Sequence, residues 1–358
     1  MDQTGITIRS QNENLEYVVN LVKSRIIVYD VQVNPVSLVF FYLESENPNF
    51  EDEFDEIRKD LVPRGYVPFV RRNGESTIVV TKLPSQKYAT SKVNIALFFL
   101  TLASTIYVGS IYSRAFTSSV PISIIYGFVF FSAPLMLILG LHELGHYFTA
   151  KKYNVKASFP FFIPFPFTIG TFGAFISLRD PIPSRKAMTE IGAAGPLVGF
   201  LTSLPLLFVA DYLNGIFHPI STVASFQLNF PAIYGLLGLH INVSKPVFPM
   251  VFAVWVGIFA TAMNLLPISQ LDGGHVARGI LGRRSQVLGY IVVAFLLVAG
   301  VFFYTGWLFL AFFAFFMGLS HPPALNDYSR LKPIDLVIGL AALVMFILCF
   351  TVIPISLP

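Results

Sequence analysis

Residues 121–147 read PISIIYGFVFFSAPLMLILGLHELGHY, an apolar run in which Glu143 is the only Asp, Glu, Lys or Arg. At about 1.5 Å per residue, a helix of this length crosses the ~30 Å hydrocarbon core of a bilayer. Two histidines flank the glutamate near the end of the run, and ionisable side chains in membrane helices usually serve a function. The stretch predicts a membrane-spanning helix that carries a polar site near one end.

The composition divides the chain into two parts. Charged residues make up 12% of the 358 residues, about half the ~25% of a soluble domain, and 13 of the 20 acidic residues lie in residues 1–92. We therefore expect a cytoplasmic α+β accessory domain over residues 1–92 and a transmembrane domain over residues 93–358, with its core at residues 121–285. The pattern excludes a disordered chain, a nucleic-acid-binding protein and a secreted disulfide scaffold, and the single Cys349 excludes an internal disulfide.

Apolar runs of about 20 residues recur after residue 92 and predict about seven membrane spans. The predicted spans are 93–113, 121–147, 187–210, 248–268, 285–304, 306–320 and 334–353. Residues 155–183 are apolar but rich in Pro and Gly, and they predict a re-entrant extended segment, which needs protein packing at membrane depth. The expected fold is mainly α, a polytopic membrane helix bundle preceded by a small α+β domain.

The first 92 residues alternate helical and strand patterns. Residues 66–71 and 77–82 flank Asn73-Gly74, a combination typical of a β-hairpin. This part contains no histidine and no catalytic motif, which favours a folding module or a docking site for a regulatory partner.

Lys and Arg residues favour one orientation of the spans in the bilayer. The loops 148–186, 269–284 and 321–333 contain 11 of them, whereas the loops on the opposite side contain only Arg114 and Lys245. The positive-inside rule then places the N-terminus in the cytoplasm and the C-terminus outside. We expect a multi-pass protein of a prokaryotic cell membrane.

Residues 142–146 read HELGH. Histidines four residues apart lie on one face of a helix and can bind one metal ion, and Glu143 beside them can take a proton from a water molecule that the metal activates. Three ionisable side chains at membrane depth cost about 2.5–3.5 kcal/mol each. A bound divalent metal explains why the helix tolerates them, and zinc is the usual choice for such ligands.

A catalytic zinc site has three protein ligands and an open position. Asp272 is the best candidate for the third ligand because it follows the fourth span, which runs in the same direction as the second and ends at the same depth. Pro267 ends that helix, and Gly273-Gly274 permits a tight turn. Glu190, near the predicted cytoplasmic start of the third span, stays an alternative ligand.

HELGH at 142–146 and NLLPISQLDGG at 264–274 resemble the motifs of the site-2 protease family of intramembrane zinc metalloproteases. The two motifs occur in the family's order, each on a predicted membrane helix, and the Gly-rich residues 192–196 agree with the family. The N-terminal soluble domain and PPALND at 322–327 are similar to one branch of it. Ser269 stands where the family's motif often has a second proline.

The resemblance implies that His142, His146 and Asp272 hold one zinc ion per chain and that Glu143 is the general base. It also implies a catalytic role for Asn264, whose amide would orient the substrate or stabilise the oxyanion. An equal alternative is that this amide satisfies backbone groups freed by the proline at 267.

The other histidines are interpreted as non-ligands. His275, one turn beyond Asp272, is expected to support the site or lie at an interface. His218, His240 and His321 are expected to be ordinary polar residues of loops.

The implied function is hydrolysis of peptide bonds in transmembrane protein substrates near the cytoplasmic side of the bilayer, as in regulated intramembrane proteolysis. The substrate helix has to unwind, and residues 159–178 would accept it as an added strand or plug the site. The alternatives are a membrane metalloprotease acting on soluble or lipidated peptides, a transporter, and a non-proteolytic scaffold. Polar residues clustered at two helix ends argue against the transporter, and four intact catalytic residues argue against the scaffold.

Overall fold

The computed structural model describes residues 15–83, 91–220, 227–239, 241, 245–268, 270–318 and 321–356. His240 and Ser269 lie outside the described residues. The chain forms two compact units, of which the first consists of Met1–Tyr88, Asp180–Arg185 and Pro323–Arg330 and the second of the remaining chain. The first unit is thus assembled from three separate stretches of sequence.

A four-stranded antiparallel sheet forms the first unit. Its strands are β1 (Val28–Asn34), β2 (Ser37–Tyr42), β3 (Tyr66–Asn73) and β4 (Glu75–Lys82), in the order β1-β2-β4-β3. Two helices accompany the sheet, α1 at residues 15–25 and α2 at Phe50–Leu61. The predicted hairpin is confirmed: Asn73 pairs with Glu75, and Gly74 between them has a φ of 84°, a conformation that favours glycine.

The sequence periods explain how this sheet is covered. Apolar residues at helical spacing are buried on one face of α2: Phe50, Phe54, Ile57 and Leu61. Alternate residues of β2 are buried against them: Leu38, Phe40 and Tyr42. Periods of 3.6 and 2 residues therefore give the helix and the strand one apolar face each, and these faces form a single core.

Leu325, from the third stretch of the first unit, completes this core. Its side chain is 6% exposed and belongs to the same apolar cluster as the residues of α2 and β2. Its carbonyl oxygen accepts a hydrogen bond of 2.8 Å from the backbone N–H of Val70 in β3. Because β3 is an outer strand of the sheet, this bond covers part of an otherwise open edge.

Replacing Leu325 by Ala should destabilise the first unit by about 2–5 kcal/mol, the usual cost of truncating a buried leucine. Hydrogen exchange on the purified full chain should then show faster exchange in peptides that contain β3. Val36→Ala is the matched control, since the Val36 side chain is 80% exposed. Equal protection of β3 in the two variants would contradict the role assigned to Leu325.

The rest of the described chain is mainly helical. The helices are α3 (Ser91–Ser113), α4 (Val120–Tyr126), α5 (Ala133–Lys152), α6 (Arg185–Ile216), α7 (Ala232–Leu236), α8 (Pro249–Asn264), α9 (Asp272–Leu281), α10 (Ser285–Phe302), α11 (Gly306–Met317) and α12 (Pro333–Cys349). A π-helical turn over Gly127–Ser132 joins α4 to α5. These two helices therefore form one continuous apolar helix.

Four helices of the described chain are long and apolar enough to cross a membrane: Lys92–Ser113, Val120–Lys152, Arg185–Ile216 and Asp272–Phe302. They correspond to the predicted spans 93–113, 121–147, 187–210 and 285–304. The spans predicted at 248–268, 306–320 and 334–353 correspond to α8, α11 and α12, which are apolar but have only 16, 12 and 17 residues. The structure therefore supports four of the seven predicted spans.

Residues 269–284 were expected to form a loop, and this expectation is wrong for most of them. Asp272 begins α9, in the first helical turn, where a carboxylate interacts favourably with the helix dipole. A Cβ on Gly273 would lie 2.0 Å from the carbonyl oxygen of Leu265. The glycine therefore allows two backbone segments to approach, and the chain continues from it as a helix.

The segment between α5 and α6 is extended, as predicted. Strands β5 (Phe161–Phe165) and β6 (Gly170–Phe175) pair antiparallel. Gly170 has a φ of 81° and lies so close to α3 that a Cβ on it would be 2.7 Å from the Cα of Thr105. The hairpin therefore packs directly against α3.

Candidate metal centre

The helical period of α5 brings the side chains of HELGH together. His142 and His146 lie one turn apart on the same face, and their Nε2 atoms are 3.2 Å apart. His142, Glu143 and His146 are only 3–5% exposed. Burial of three ionisable groups in so apolar a helix is costly unless they share a partner.

Asp272, the first residue of α9, meets both histidines. Its Oδ2 is 3.1 Å from Nε2 of His142, and its Oδ1 is 3.2 Å from Nε2 of His146. With metal–ligand bonds of about 2.0–2.1 Å, the edge of a tetrahedral zinc site is about 3.3–3.4 Å. The two N–O contacts, which involve different oxygens of Asp272, and the contact between the two nitrogens are close to this length. The three residues therefore fit zinc, the predicted cofactor. Among the described residues, they form the one group of three or more His, Cys, Asp or Glu that could hold a metal ion.

A backbone contact fixes the tautomer of His146. Its Nδ1 lies 2.7 Å from the carbonyl oxygen of Ile191 on α6, so Nδ1 carries the proton and donates it to this oxygen. The lone pair of Nε2 is then free to face His142 and Asp272. A hydrogen bond from the other ring nitrogen is the usual support of a metal-binding histidine.

Asn264, the last residue of α8, reaches the same donors. Its Nδ2 lies 3.3 Å from Nε2 of His142. In a continuous helix, the carbonyl oxygen of Met263 would accept a hydrogen bond from the N–H of residue 267, but Pro267 has no N–H. This oxygen accepts a hydrogen bond from the N–H of Leu266 instead. The backbone near the proline is thus satisfied locally, while the amide of Asn264 faces the donor group.

Glu190, the alternative third ligand, pairs with lysines instead. Its Oε2 lies 2.6 Å from Nζ of Lys152, and its Oε1 lies 3.9 Å from Nζ of Lys186. Glu190 is not part of the donor group formed by the two histidines and Asp272.

Two cavities adjoin the donor group. A larger one of about 510 Å³ is lined by His146, Asp272 and residues 174–178. A smaller one of about 200 Å³ is lined by His142 and residues 171–174. Three residues line both cavities: Glu143, Ala174 and Asn264. The candidate general base therefore lies where the two cavities meet.

Residues 130–306 match the model of peptidase family M50. The matched stretch contains the donor group, Glu143 and Asn264. The match covers just under half of the chain, and residues 130–306 are called the M50 region from here on. The resemblance to the site-2 protease family, which is family M50, is confirmed.

Curated relatives match a similar part of the chain. The probable zinc metalloprotease EGY1, chloroplastic, of Arabidopsis thaliana is 32% identical over 179 residues, which cover 46% of this chain and 32% of that protein. The probable zinc metalloprotease EGY2, chloroplastic, of the same plant is 35% identical over 161 residues, which cover 42% of this chain and 28% of that protein. The chain thus spans about a third of the length of these relatives.

Three glycines of the M50 region let α6 pack against α5. A Cβ on Gly195 would lie 2.0 Å from Nε2 of His146, and one on Gly199 would lie 3.0 Å from Nδ1 of His142. A Cβ on Gly145 would lie 2.7 Å from the carbonyl oxygen of Ala194. The sequence analysis noted Gly195 but missed Gly199, although a spacing of four residues places both on one helix face.

His321 is a second feature that the sequence analysis missed. Its ring packs edge-on against that of His275, with 4.4 Å between the ring centroids, and His275 lines the larger cavity. Burial, together with the neighbouring His275, lowers the pKa of His321 to about 4. His321 is therefore neutral at pH 7 and is a packed neighbour of the site rather than an ordinary loop residue.

Replacing Gly195 by Ala should weaken metal binding, because the new methyl group would displace the His146 ring. We expect an affinity loss of about 10- to 100-fold, the range for groups that support metal ligands. Competition with a chelator on the purified protein measures it. Gly215→Ala on the same helix is the control, since no atom lies within 4 Å of a Cβ there. Equal zinc affinity in the two variants would show that the close approach of α6 does not position the ligand.

Proposed function

We propose that this chain is an intramembrane zinc metalloprotease that hydrolyses peptide bonds of transmembrane protein substrates near the cytoplasmic side of the bilayer. The observation that carries the proposal is the buried group of His142, His146 and Asp272, with Glu143 beside it, in helices apolar enough to span a membrane. The relatives EGY1 and EGY2 are named probable zinc metalloproteases, which supports the same activity.

The roles of the side chains follow from their positions. His142, His146 and Asp272 would hold the zinc ion, which would supply Lewis-acid chemistry that polarises a peptide carbonyl and lowers the pKa of water. Glu143 takes the proton of the attacking water and delivers it to the leaving amine. Asn264, close to the donors, donates its amide N–H to the developing oxyanion.

The strand β6 supplies an edge on which the substrate can bind. β5 occupies one edge of β6, while residues 171–174 of the same segment line the smaller cavity and residues 174–178 line the larger one. Ile176, just after β6, lines the larger cavity together with Glu143. An unwound substrate needs backbone hydrogen bonds at membrane depth, and strand addition provides them. These observations favour substrate addition over a plug.

The proposed orientation places residues 1–92 and the loop 148–186, with its six Lys and Arg residues, in the cytoplasm and the C-terminus outside. This orientation requires α8, α11 and α12 to cross the bilayer in addition to the four longer helices. The proposed location is a prokaryotic cell membrane, although the named relatives are chloroplastic proteins.

Labelling of single cysteines tests the orientation. In a Cys349→Ala background, Arg114→Cys should react with an impermeant maleimide on intact cells, and Arg283→Cys should react only after permeabilisation. The reverse pattern would overturn the orientation. Reaction of both on intact cells would also contradict it.

Replacing Glu143 by Gln should abolish cleavage of a reconstituted membrane substrate while leaving the zinc content near one ion per chain. Asp272→Ala should lose both the activity and most of the zinc, because only two ligands remain. Metal analysis of the purified proteins measures the zinc. Glu190→Gln is the matched control, and it should keep its zinc.

Two results would contradict the assignment. Cleavage by Glu143→Gln at the wild-type rate would exclude Glu143 as the base. Zinc retained in Asp272→Ala but lost in Glu190→Gln would move the third ligand to Glu190.

A further inference from the structure

The two cavities beside Glu143 differ in chemistry. Gln270, Ser177 and His275 give the larger cavity several polar groups, which lie among apolar residues such as Phe175, Ile176 and Leu271. The smaller cavity is walled mainly by apolar side chains of α5, α8 and β6: Ile138, Leu139, Phe172, Val256, Phe259 and Met263. A substrate that passes Glu143 therefore meets a mainly apolar space on one side of the cut and a mixed, more polar space on the other.

The polar groups in the wall of the smaller cavity have partners of their own. The hydroxyl of Thr171 donates to the carbonyl oxygen of Ile163 at 2.9 Å, and that of Thr261 donates to the carbonyl oxygen of Gly257 at 3.0 Å. Neither hydroxyl therefore requires a polar partner from a ligand. Apart from the catalytic group and the backbone of β6, the cavity offers a ligand only apolar contacts.

The size of the smaller cavity matches one large side chain. An engineered apolar cavity of about 150 Å³ holds a benzene molecule, and this cavity measures about 200 Å³. A leucine, isoleucine or phenylalanine side chain fits such a space, whereas alanine leaves most of it unfilled. Filling it removes apolar surface from contact with water or lipid headgroups and adds dispersion contacts.

We propose that the smaller cavity is a specificity subsite that takes a large apolar side chain of the substrate next to the scissile bond. The proposal rests on the proposed function and names the sequence feature that the protease selects. Ala260 of α8 controls the available space, because it lines the cavity with a small, partly exposed side chain. A larger residue at this position occupies the space meant for the substrate.

The direction of the substrate chain determines which neighbour of the cut the cavity receives. The smaller cavity adjoins residues 171–174 and the larger cavity residues 174–178. A substrate paired antiparallel to β6 therefore places the residue after the cut in the smaller cavity. A parallel substrate places the residue before the cut there.

The test uses the full chain, reconstituted with zinc, and a panel of transmembrane substrates with Ala, Val, Leu or Phe at each position flanking the cut. Mass spectrometry of the products locates the cleaved bond. At one flanking position, and only one, Leu and Phe should be cleaved about 10- to 100-fold faster than Ala, as expected for burying a large apolar side chain. The position identified also reports the direction of the strand.

The variant Ala260→Leu should reverse this preference by lowering the rate for Leu and Phe substrates about 10-fold or more and sparing the Ala substrate. Met263→Ala enlarges the same cavity and should raise the rate for Phe relative to Leu. If Ala260→Leu does not fold, Met263→Ala alone tests the subsite. Ala341→Leu, on an exposed face of α12, is the matched control and should keep the wild-type ranking.

The possible failures are distinguishable. A wild-type enzyme that cleaves the panel with equal rates overturns the subsite and leaves the protease function intact. An unchanged ranking in both Ala260→Leu and Met263→Ala also overturns the subsite. Cleavage that is absent in wild type, or unaffected by Glu143→Gln, overturns the proposed function and the subsite with it.

Discussion

Apolar helices enclose four ionisable side chains, those of His142, Glu143, His146 and Asp272. These helices can pack only if the buried charges and hydrogen-bonding groups of the four side chains have partners. An unpaired charge or an unsatisfied imidazole in such surroundings is costly. The two histidines and the aspartate solve this problem together, because their donor atoms lie 3.1–3.2 Å from one another. The solution requires side chains 130 residues apart in sequence to meet.

The convergence depends on small residues. Gly195 and Gly199 let the backbone of α6 contact the two imidazole rings, and Gly273 lets α9 approach the end of α8. A larger residue at any of these positions would separate the elements that carry the ligands. The same closeness brings the carbonyl oxygen of Ile191 to Nδ1 of His146, so that the packing also orients the ring.

The sequence predicts the parts of the site that local periodicity determines. A period of 3.6 residues places His142 and His146 on one face of α5, and the common direction of two spans brings Asp272 to their level. It does not predict that Gly273-Gly274 lies in a helix, because the contact with Leu265 that explains Gly273 is tertiary. The pairing of His321 with His275 is missed for the same reason.

The spans show a similar limit. Hydropathy identifies apolar runs, but it does not distinguish the apolar residues of a helix from those of the turns that flank it. Pro267 and the residues around it extend the predicted span 248–268, although α8 ends at Asn264. The bounds of a helix depend on capping and on neighbouring chain, which a composition window does not include.

The assembly of the first unit from three stretches of sequence has a consequence for synthesis of the protein. Residues 15–83 leave the ribosome before Leu325, which is translated after α11, although the core that they form contains this leucine. The core of the first unit therefore stays incomplete, and the edge of β3 stays partly open, while most of the membrane helices are translated. Nascent chains that end before residue 325 therefore lack both the Leu325 side chain in this core and its hydrogen bond to Val70.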